Sequence, residues 1–393
     1  MTTYTNGKYA HGEVPIVIVH KDHRISPVGP CAGAETATIA LARAFSRLGK
    51  RVYLAGILPP EFVTEVSKTS GTFLDGVTYI DLTPEYNTQL LFHQLEVIRG
   101  ILLYDFIAVS KPLALLQTQY NPRVRSRIFI THEPTVMDFG LQPQTIANNV
   151  DRIVCVSAAQ REKLIDAGCD INMVQIIPNG ADLNIFTAGD PEKRNYLQLL
   201  FVGALVVDKG LHVLLETYAK LRAKFQNLRL DVYGSAQMWG RDDYLDLKTI
   251  AGKFPDINLH GAVAQEEVAA AMRSAGLLVA PSIFFDSFPL TVVEAQVSGL
   301  PVLGSKNGGM KEIIEDGVTG KLIDPITPEK LASEMERLLA SPERLKEMSA
   351  ACLRTMRSRY SWEQVADSVL GIIRDLGVHD NQANLTRPNP HHP

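Results

Sequence analysis

Short apolar runs rich in β-branched residues alternate along this chain with segments whose apolar positions recur every three or four residues. The first kind reads as buried parallel strands and the second as helices laid against them. Residues 14–19, 51–55, 77–80, 106–109, 127–131 and 152–157 are runs of the first kind. Between the first two, a loop over 20–33 carries Pro27, Gly29, Pro30 and Gly33. Leu41, Phe45 and Leu48 then share one helical face, which Gly49 closes. Strand, glycine-bearing loop, helix and strand open a doubly wound sheet. Runs at 197–203, 228–234, 257–261, 277–280 and 301–305 make a second series, with a helix bearing Leu211, Leu214, Leu215, Tyr218 and Leu221.

Turn formers crowd the stretch 178–195 and divide the two series. The pattern predicts an α/β chain of two Rossmann-like doubly wound domains facing each other across a cleft. Their expected bounds are 1–190 and 191–360. A helix over 361–379 is expected to pack back toward the first domain, and a polar tail over 380–393 to be disordered. A length of 393 residues agrees, since one ordinary core rarely grows so large.

One stretch carries the chemistry. The apolar run at 277–280 stops at Pro281 and Ser282, and Leu290, Val293 and Val297 then recur at helical spacing before Gly299. In a parallel sheet such a loop sits at the carboxyl edge, where ligands bind. The first amides of the helix, Leu290 and Thr291, lack internal partners and suit a phosphate. Asp286 and Glu294 flank that anion site. Two acids there fit a phosphate with hydroxyl-rich groups on both sides, because a carboxylate accepts two hydrogen bonds from a vicinal diol. A nucleotide sugar has that shape.

Composition narrows the field. A net charge of −4 lacks the basic excess that a nucleic-acid partner requires. Cys31, Cys155, Cys169 and Cys352 have no paired spacing, which argues against disulfides or zinc and for a reducing cytoplasm. Residues 1–13 lack an apolar signal core, and the longest apolar run, near 199–207, falls short of the ~20 residues a bilayer helix needs. The glycines do not form the three-glycine dinucleotide fingerprint, which disfavours a nicotinamide cofactor.

An ordered set of motifs now stands out: Ala32-Gly33-Ala34-Glu35, Pro178-Asn179-Gly180-Ala181-Asp182, and Phe201-Val202-Gly203 followed by Lys209-Gly210. Gly261-Ala262-Val263, the Asp286 to Glu294 segment, and Asn307-Gly308-Gly309 with Glu312 complete it. From about residue 14 to 360 the chain resembles a family 4 glycosyltransferase, a retaining nucleotide-sugar enzyme of the GT-B fold. The resemblance implies transfer of a hexose from a UDP-sugar, UDP-glucose first, to a saccharide or lipid-linked saccharide acceptor. It implies polysaccharide or glycoconjugate biosynthesis, no cofactor, no divalent metal, and a place in the cytoplasm or at the inner face of the membrane.

The resemblance also implies roles. Gly33 lets the donor approach, and Gly203, Gly234 and Phe288 are donor-binding positions. Lys209 neutralises the diphosphate with the Leu290 and Thr291 amides, Val263 holds the base through its backbone, and Glu294 takes the ribose diol. His132 matches a histidine that reaches the transferred sugar, and Asp286 stands where the family has a glutamate. His132, Lys209 and Asp286 form the implied catalytic set.

Two positions depart from the family pattern. Ala204 occupies the place of a common arginine, and Asp286 is one methylene short. A lost charge-assisted contact costs ~1.5–3 kcal/mol. Arg24 or Lys306 is the expected substitute cation.

Plainer readings stand beside these. Lys209 read alone is a solvated helix-start lysine, although a cation there is electrostatically unfavourable without an anion. Asp286 doubles as a helix-entry cap, and His132 as a packed histidine. Gly308 and Gly309 serve a turn and ligand approach together, and Asn179-Gly180 reads as a hinge turn. Arg123, Arg125 and Arg127 with Lys111 form either a basic patch for a membrane or lipid-diphosphate acceptor, or solvated surface. Two further functions stay open: a catalytically impaired nucleotide-sugar-binding partner protein, and a nucleotide-sugar epimerase of the same fold.

Overall fold

The computed structural model describes residues 14–28, 31–63, 71–82, 88–110, 118, 121–132, 142–235, 249 and 257–383. The first domain is built on β1 (Ile16–Arg24), β2 (Val52–Ile57), β3 (Thr72–Leu74), β4 (Val77–Asp81), β5 (Tyr104–Val109), β6 (Val124–Thr131), β7 (Arg152–Cys155) and β8 (Val174–Ile176). They form one sheet in the order β3-β4-β2-β1-β5-β6-β7-β8, parallel except for the β3–β4 edge. The second domain holds β9 (Asn195–Val202), β10 (Arg229–Tyr233), β11 (Ile257–Gly261), β12 (Ala275–Ala280), β13 (Val302–Ser305) and β14 (Gly320–Ile323). Their order is β11-β10-β9-β12-β13-β14, all parallel.

Burial explains why the apolar runs became central strands. Ile16, Val17, Ile18 and Val19 of β1 are each at most 1% exposed, because helices cover both faces of a parallel sheet. The helices are α1 (Gly33–Arg47), α2 (Thr88–Phe92), α3 (Pro143–Ala147), α4 (Ala158–Asp166), α5 (Leu211–Leu221) and α6 (Gln265–Ser274). They continue with α7 (Leu290–Val297), α8 (Met310–Ile313), α9 (Pro328–Leu339), α10 (Pro342–Thr355) and α11 (Trp362–Ala383). In each sheet the order reverses beside a central strand, β1 in one and β9 in the other. Crevices open at such switch points.

The α11 helix returns to the first domain. Its Trp362, Ala366, Val369, Leu370 and Ile373 join the cluster of Ile16, Ile18, Phe45 and Ile130. In the second domain one buried cation ties four segments together. The Arg194 guanidinium donates to Ser349 Oγ at 3.0 Å, to the carbonyls of Met272 at 2.7 Å and Ala275 at 2.9 Å, and to the Ser298 carbonyl.

The structure departs from the sequence pattern at several places. The β1 strand runs on to Arg24 where a loop from residue 20 was expected. Buried His20 permits this, because Thr38 and Glu35 satisfy both its ring nitrogens at 2.9 and 3.2 Å. Leu48 is 40% exposed rather than buried, since the helix ends one residue earlier at Arg47. Ala181 and Phe186, before the expected boundary at 190, pack into the second domain's core. Helix α11 extends through Asp380 to Ala383, inside the tail expected to be disordered. Once a helix is nucleated, each added residue gains a hydrogen bond. Residues 384–393 of that tail lie outside the described residues.

Candidate functional site

The carboxyl ends of the two sheets enclose a cleft of about 490 Å³. The structure brings every sequence-predicted site residue to its wall. Gly33 and His132 come from the first domain, and Gly203, Lys209, Gly234, Val263, Asp286, Phe288, Leu290, Thr291 and Glu294 from the second.

Helix α7 begins at the cleft. Pro289 occupies its N-cap, and its carbonyl accepts from the Val292 and Val293 amides at 3.2 and 3.4 Å. The Leu290 and Thr291 amides, one step earlier, are helix-start donors with no internal acceptor. One turn on, Glu294 is 7% exposed. Its carboxyl has no hydrogen bond or ion pair among the described residues, and burial pushes its pKa up to about 8. Gly299, at φ +76°, ends the helix region.

Lys209 reaches the same place from β9. Gly210, at φ +74°, caps α5, and a β-carbon there would lie 1.9 Å from the Pro281 carbonyl oxygen. That close approach requires glycine and locks the turn to the loop after β12. Lys209 Nζ lies 2.6 Å from Asp286 Oδ2 and 5.1 Å from the Phe284 ring centroid. The sequence argument that Lys209 needs an anion is met within the protein, by Asp286. Both groups are mostly buried, at 17% and 12% exposure, so the pair is weakly screened.

His132 follows β6. Its Nε2 lies 3.2 Å from Asn179 Oδ1. Burial pulls its pKa down to about 4, the Asn179 hydrogen bond opposes this, His20 adds to it and Glu35 opposes it. The ring is therefore neutral near pH 7. Near it lies the His20–Glu35 pair, with Glu35 on the first turn of α1 and on the cleft wall.

The glycines divide by what they face. A β-carbon at Gly33 would meet nothing within 4 Å, so the protein itself gives no reason for glycine there. At Gly234 it would lie 1.8 Å from the Gly203 carbonyl oxygen, a backbone-to-backbone approach. Gly308 and Gly309 were expected to serve a turn and ligand approach together. Their β-carbons would instead meet the Asp286 and Ser287 carbonyls at 2.0 and 2.1 Å, so they seat the Asp286 loop.

Other expectations fail for want of reach. Ala204 lines the cleft, but neither Arg24 nor Lys306 does. Lys209 and Arg43 are the lysine and arginine among the lining residues, and Arg43 is bound to Asp75 at 2.7 Å. The arginine cluster is not an open basic patch. Arg125 is paired with Asp105, Arg123 with Glu96 at 3.5 Å, and Arg127 donates to the Thr118 carbonyl at 3.0 Å. Lys111 lies outside the described residues. Among the described residues no group of three or more His, Cys, Asp or Glu could hold a metal ion, and no helix is long and apolar enough to cross a membrane.

Three residues carry more than the sequence indicated. Asn179, read as turn, joins both domains at the cleft. Glu35 was part of a motif with no role of its own. Glu312 accepts the Ala158 and Ala159 amides of α4 from across the domain boundary. Each sits where its partner is distant in sequence, and the polar residue inside a glycine motif was the available signal.

Two domains with facing parallel sheets, a switch-point cleft and an anion-seeking helix start also occur in known proteins, to which parts of this chain are similar. Residues 185–352 match the family model described as glycosyl transferases, group 1. The D-inositol 3-phosphate glycosyltransferase of Segniliparus rotundus is 33% identical over 215 residues, 52% of this chain and 47% of that protein. The chain thus spans about half the length of that curated relative. The sucrose-phosphate synthase of Thermosynechococcus elongatus superposes with a TM-score of 0.72 at 18% identity, over 93% of this chain and 100% of that one. The Anabaena protein HepE, in complex with UDP-glucose, gives 0.70 at 19% identity, over 92% and 100%. The fold is GT-B.

Proposed function

We propose that the chain is a retaining hexosyltransferase that moves a sugar from a UDP-sugar, UDP-glucose first, to a saccharide or lipid-linked saccharide acceptor. The observation that carries this reading is Glu294. A buried carboxyl with no partner among the described residues, one turn from two helix-start amides, suits a ligand that offers a diol next to a phosphate. The fold shared with a UDP-glucose complex and the likeness to an inositol-phosphate glycosyltransferase support the same reading.

The chemistry follows from the charges. Cleaving the sugar–phosphate bond puts negative charge on the diphosphate and positive charge on the anomeric carbon. Lys209 and the Leu290 and Thr291 amides meet the first with groups already oriented, which is the dominant electrostatic contribution in such sites. Asp286 holds Lys209 in place and is assigned to the sugar hydroxyls. Val263 and Glu294 hold the nucleoside, and His132 meets the sugar from the other domain. The acceptor hydroxyl attacks from the leaving-group face and passes its proton to the departing phosphate, so no protein nucleophile, cofactor or divalent metal takes part.

Two assays test this. Sugar nucleotides are screened for protection against thermal unfolding, where a ligand at 100 times its dissociation constant adds ~2.7 kcal/mol. UDP release is then followed with and without EDTA. Protection by UDP-glucose and chelator-resistant release are expected; release that stops on chelation overturns metal independence. Ala204 in the cleft and the resident Lys209–Asp286 pair favour one second reading, an impaired nucleotide-sugar-binding partner protein. Protection by donor without any UDP release would establish it.

A further inference from the structure

Asn179 is 5% exposed and stands between the two domains at the cleft. Its Nδ2 faces the Phe288 carbonyl at 3.4 Å, and its Oδ1 faces His132 Nε2 at 3.2 Å. A carbonyl oxygen only accepts, so the amide nitrogen must be the atom turned to Phe288. The amide oxygen is thereby turned to His132, and it too only accepts. The ring proton therefore sits on Nε2, and Nδ1 carries the lone pair. That Nδ1 is buried and has no partner among the described residues, while the ring lines the cleft. The titratable groups near the ring among the described residues are His20, joined to Glu35 at 3.2 Å, and Glu35 itself. The small space behind the ring is lined largely by apolar side chains, Val109, Ile130 and Trp362 among them, and offers Nδ1 little to bond.

We propose that Asn179 is a positioning residue: it fixes the His132 ring as the Nε2-protonated tautomer and ties that ring to the donor loop through the Phe288 carbonyl. The ring thereby holds one orientation at the cleft wall. The link to Phe288 also means that the ring is set correctly only when the two domains are closed on each other. This inference rests on the transferase reading above and adds to it the residue that selects the ring's tautomer.

The test combines ring spectroscopy with kinetics on the full chain. Histidine is labelled with nitrogen-15, and the His132 signals are assigned by their loss in His132→Gln. In the wild type near neutral pH, Nε2 is expected to be protonated and Nδ1 bare, without donor present. Asn179→Ala is expected to give a mixture of tautomers and to lower kcat roughly tenfold or more, with the UDP dissociation constant changed less than about threefold. Asn179→Asp keeps an acceptor opposite Nε2, so it is expected to retain the tautomer, restore much of kcat over Asn179→Ala, and shift the acid limb of the pH profile upward. A wild-type ring protonated on Nδ1 overturns the proposal, as does Asn179→Ala with wild-type kcat. If Asn179→Ala does not fold, Asn179→Asp decides: an unshifted acid limb overturns it. Failure of the transferase reading shows separately, as a wild-type chain with the expected ring state that turns over no sugar nucleotide.

Discussion

The Glu312 carboxylate of the second domain accepts the Ala158 amide of the first at 2.9 Å, and its other oxygen accepts the Ala159 amide at 3.0 Å. The start of helix α4, where unpaired amides concentrate positive charge, is thus completed by an acid from another domain. Lys163, on the same helix, lies 4.6 Å from the Phe285 ring and adds a second link. Glu312→Ala is expected to cost ~0.5–2 kcal/mol, the range for a lost helix cap. Urea unfolding measures this, and Glu312→Gln should retain part of it. An unchanged midpoint for both variants would show that solvent replaces the link freely.

Lys209→Ala removes a cation from the cleft wall and strands Asp286, whose partner lay at 2.6 Å. Loss of one preoriented donor from a transition state costs about 2.7–4 kcal/mol, or ~10²–10³ in kcat. The circular dichroism spectrum should stay that of the wild type. Turnover within a few fold of wild type would remove Lys209 from the mechanism.

Glu294 makes stability depend on pH in a definite direction. The folded chain holds its proton up to about pH 8, whereas the ordinary value is 4.5. Between these values folding takes up a proton, so the residue lowers stability as pH rises and exacts its full cost above about 8. Glu294→Gln carries no such proton. Its stability relative to the wild type should therefore climb from about pH 5 to 8 and then level off, while donor binding weakens. Parallel stability curves for the two chains would contradict the burial argument.

Arg194 is a structural counterpart to these site residues. Its guanidinium is 6% exposed and faces three carbonyls and a hydroxyl, with no carboxylate among those partners. Burial lowers its pKa to about 10, and it stays charged at neutral pH. Arg194→Met leaves those acceptors buried without a donor and is expected to cost at least ~3 kcal/mol, read as a lower denaturation midpoint. A loss under about 1 kcal/mol would mean that water fills the place.

The central strands were legible because burial on both faces writes a continuous apolar run, as in residues 16–19 of β1. Strands β3, β8 and β14 were missed. They are three or four residues long and mix polar with apolar positions, so their place in the sheet comes from neighbours rather than from pattern. The stretch from Asp286 to Glu294 was legible because strand end, turn and helix start are contiguous. Asn179, Glu312 and the arginines at 123–127 were misjudged or passed over for one reason. What each does is set by a group distant in the chain: Phe288 for Asn179, α4 for Glu312, Asp105 for Arg125 and Glu96 for Arg123. Lys209 shows the same lesson, since its counter-charge lies 77 positions away.

The apolar face of α11 fills a gap in the first domain's core, although the whole second domain is synthesised between the two. Domains usually fold in the order of their synthesis. Here the earlier sheet emerges with Ile16, Ile18 and Phe45 still waiting for Trp362 and Ile373. A nascent chain halted before residue 362 therefore exposes a greasy seam that a chaperone could recognise, and the two halves reach maturity together rather than in turn.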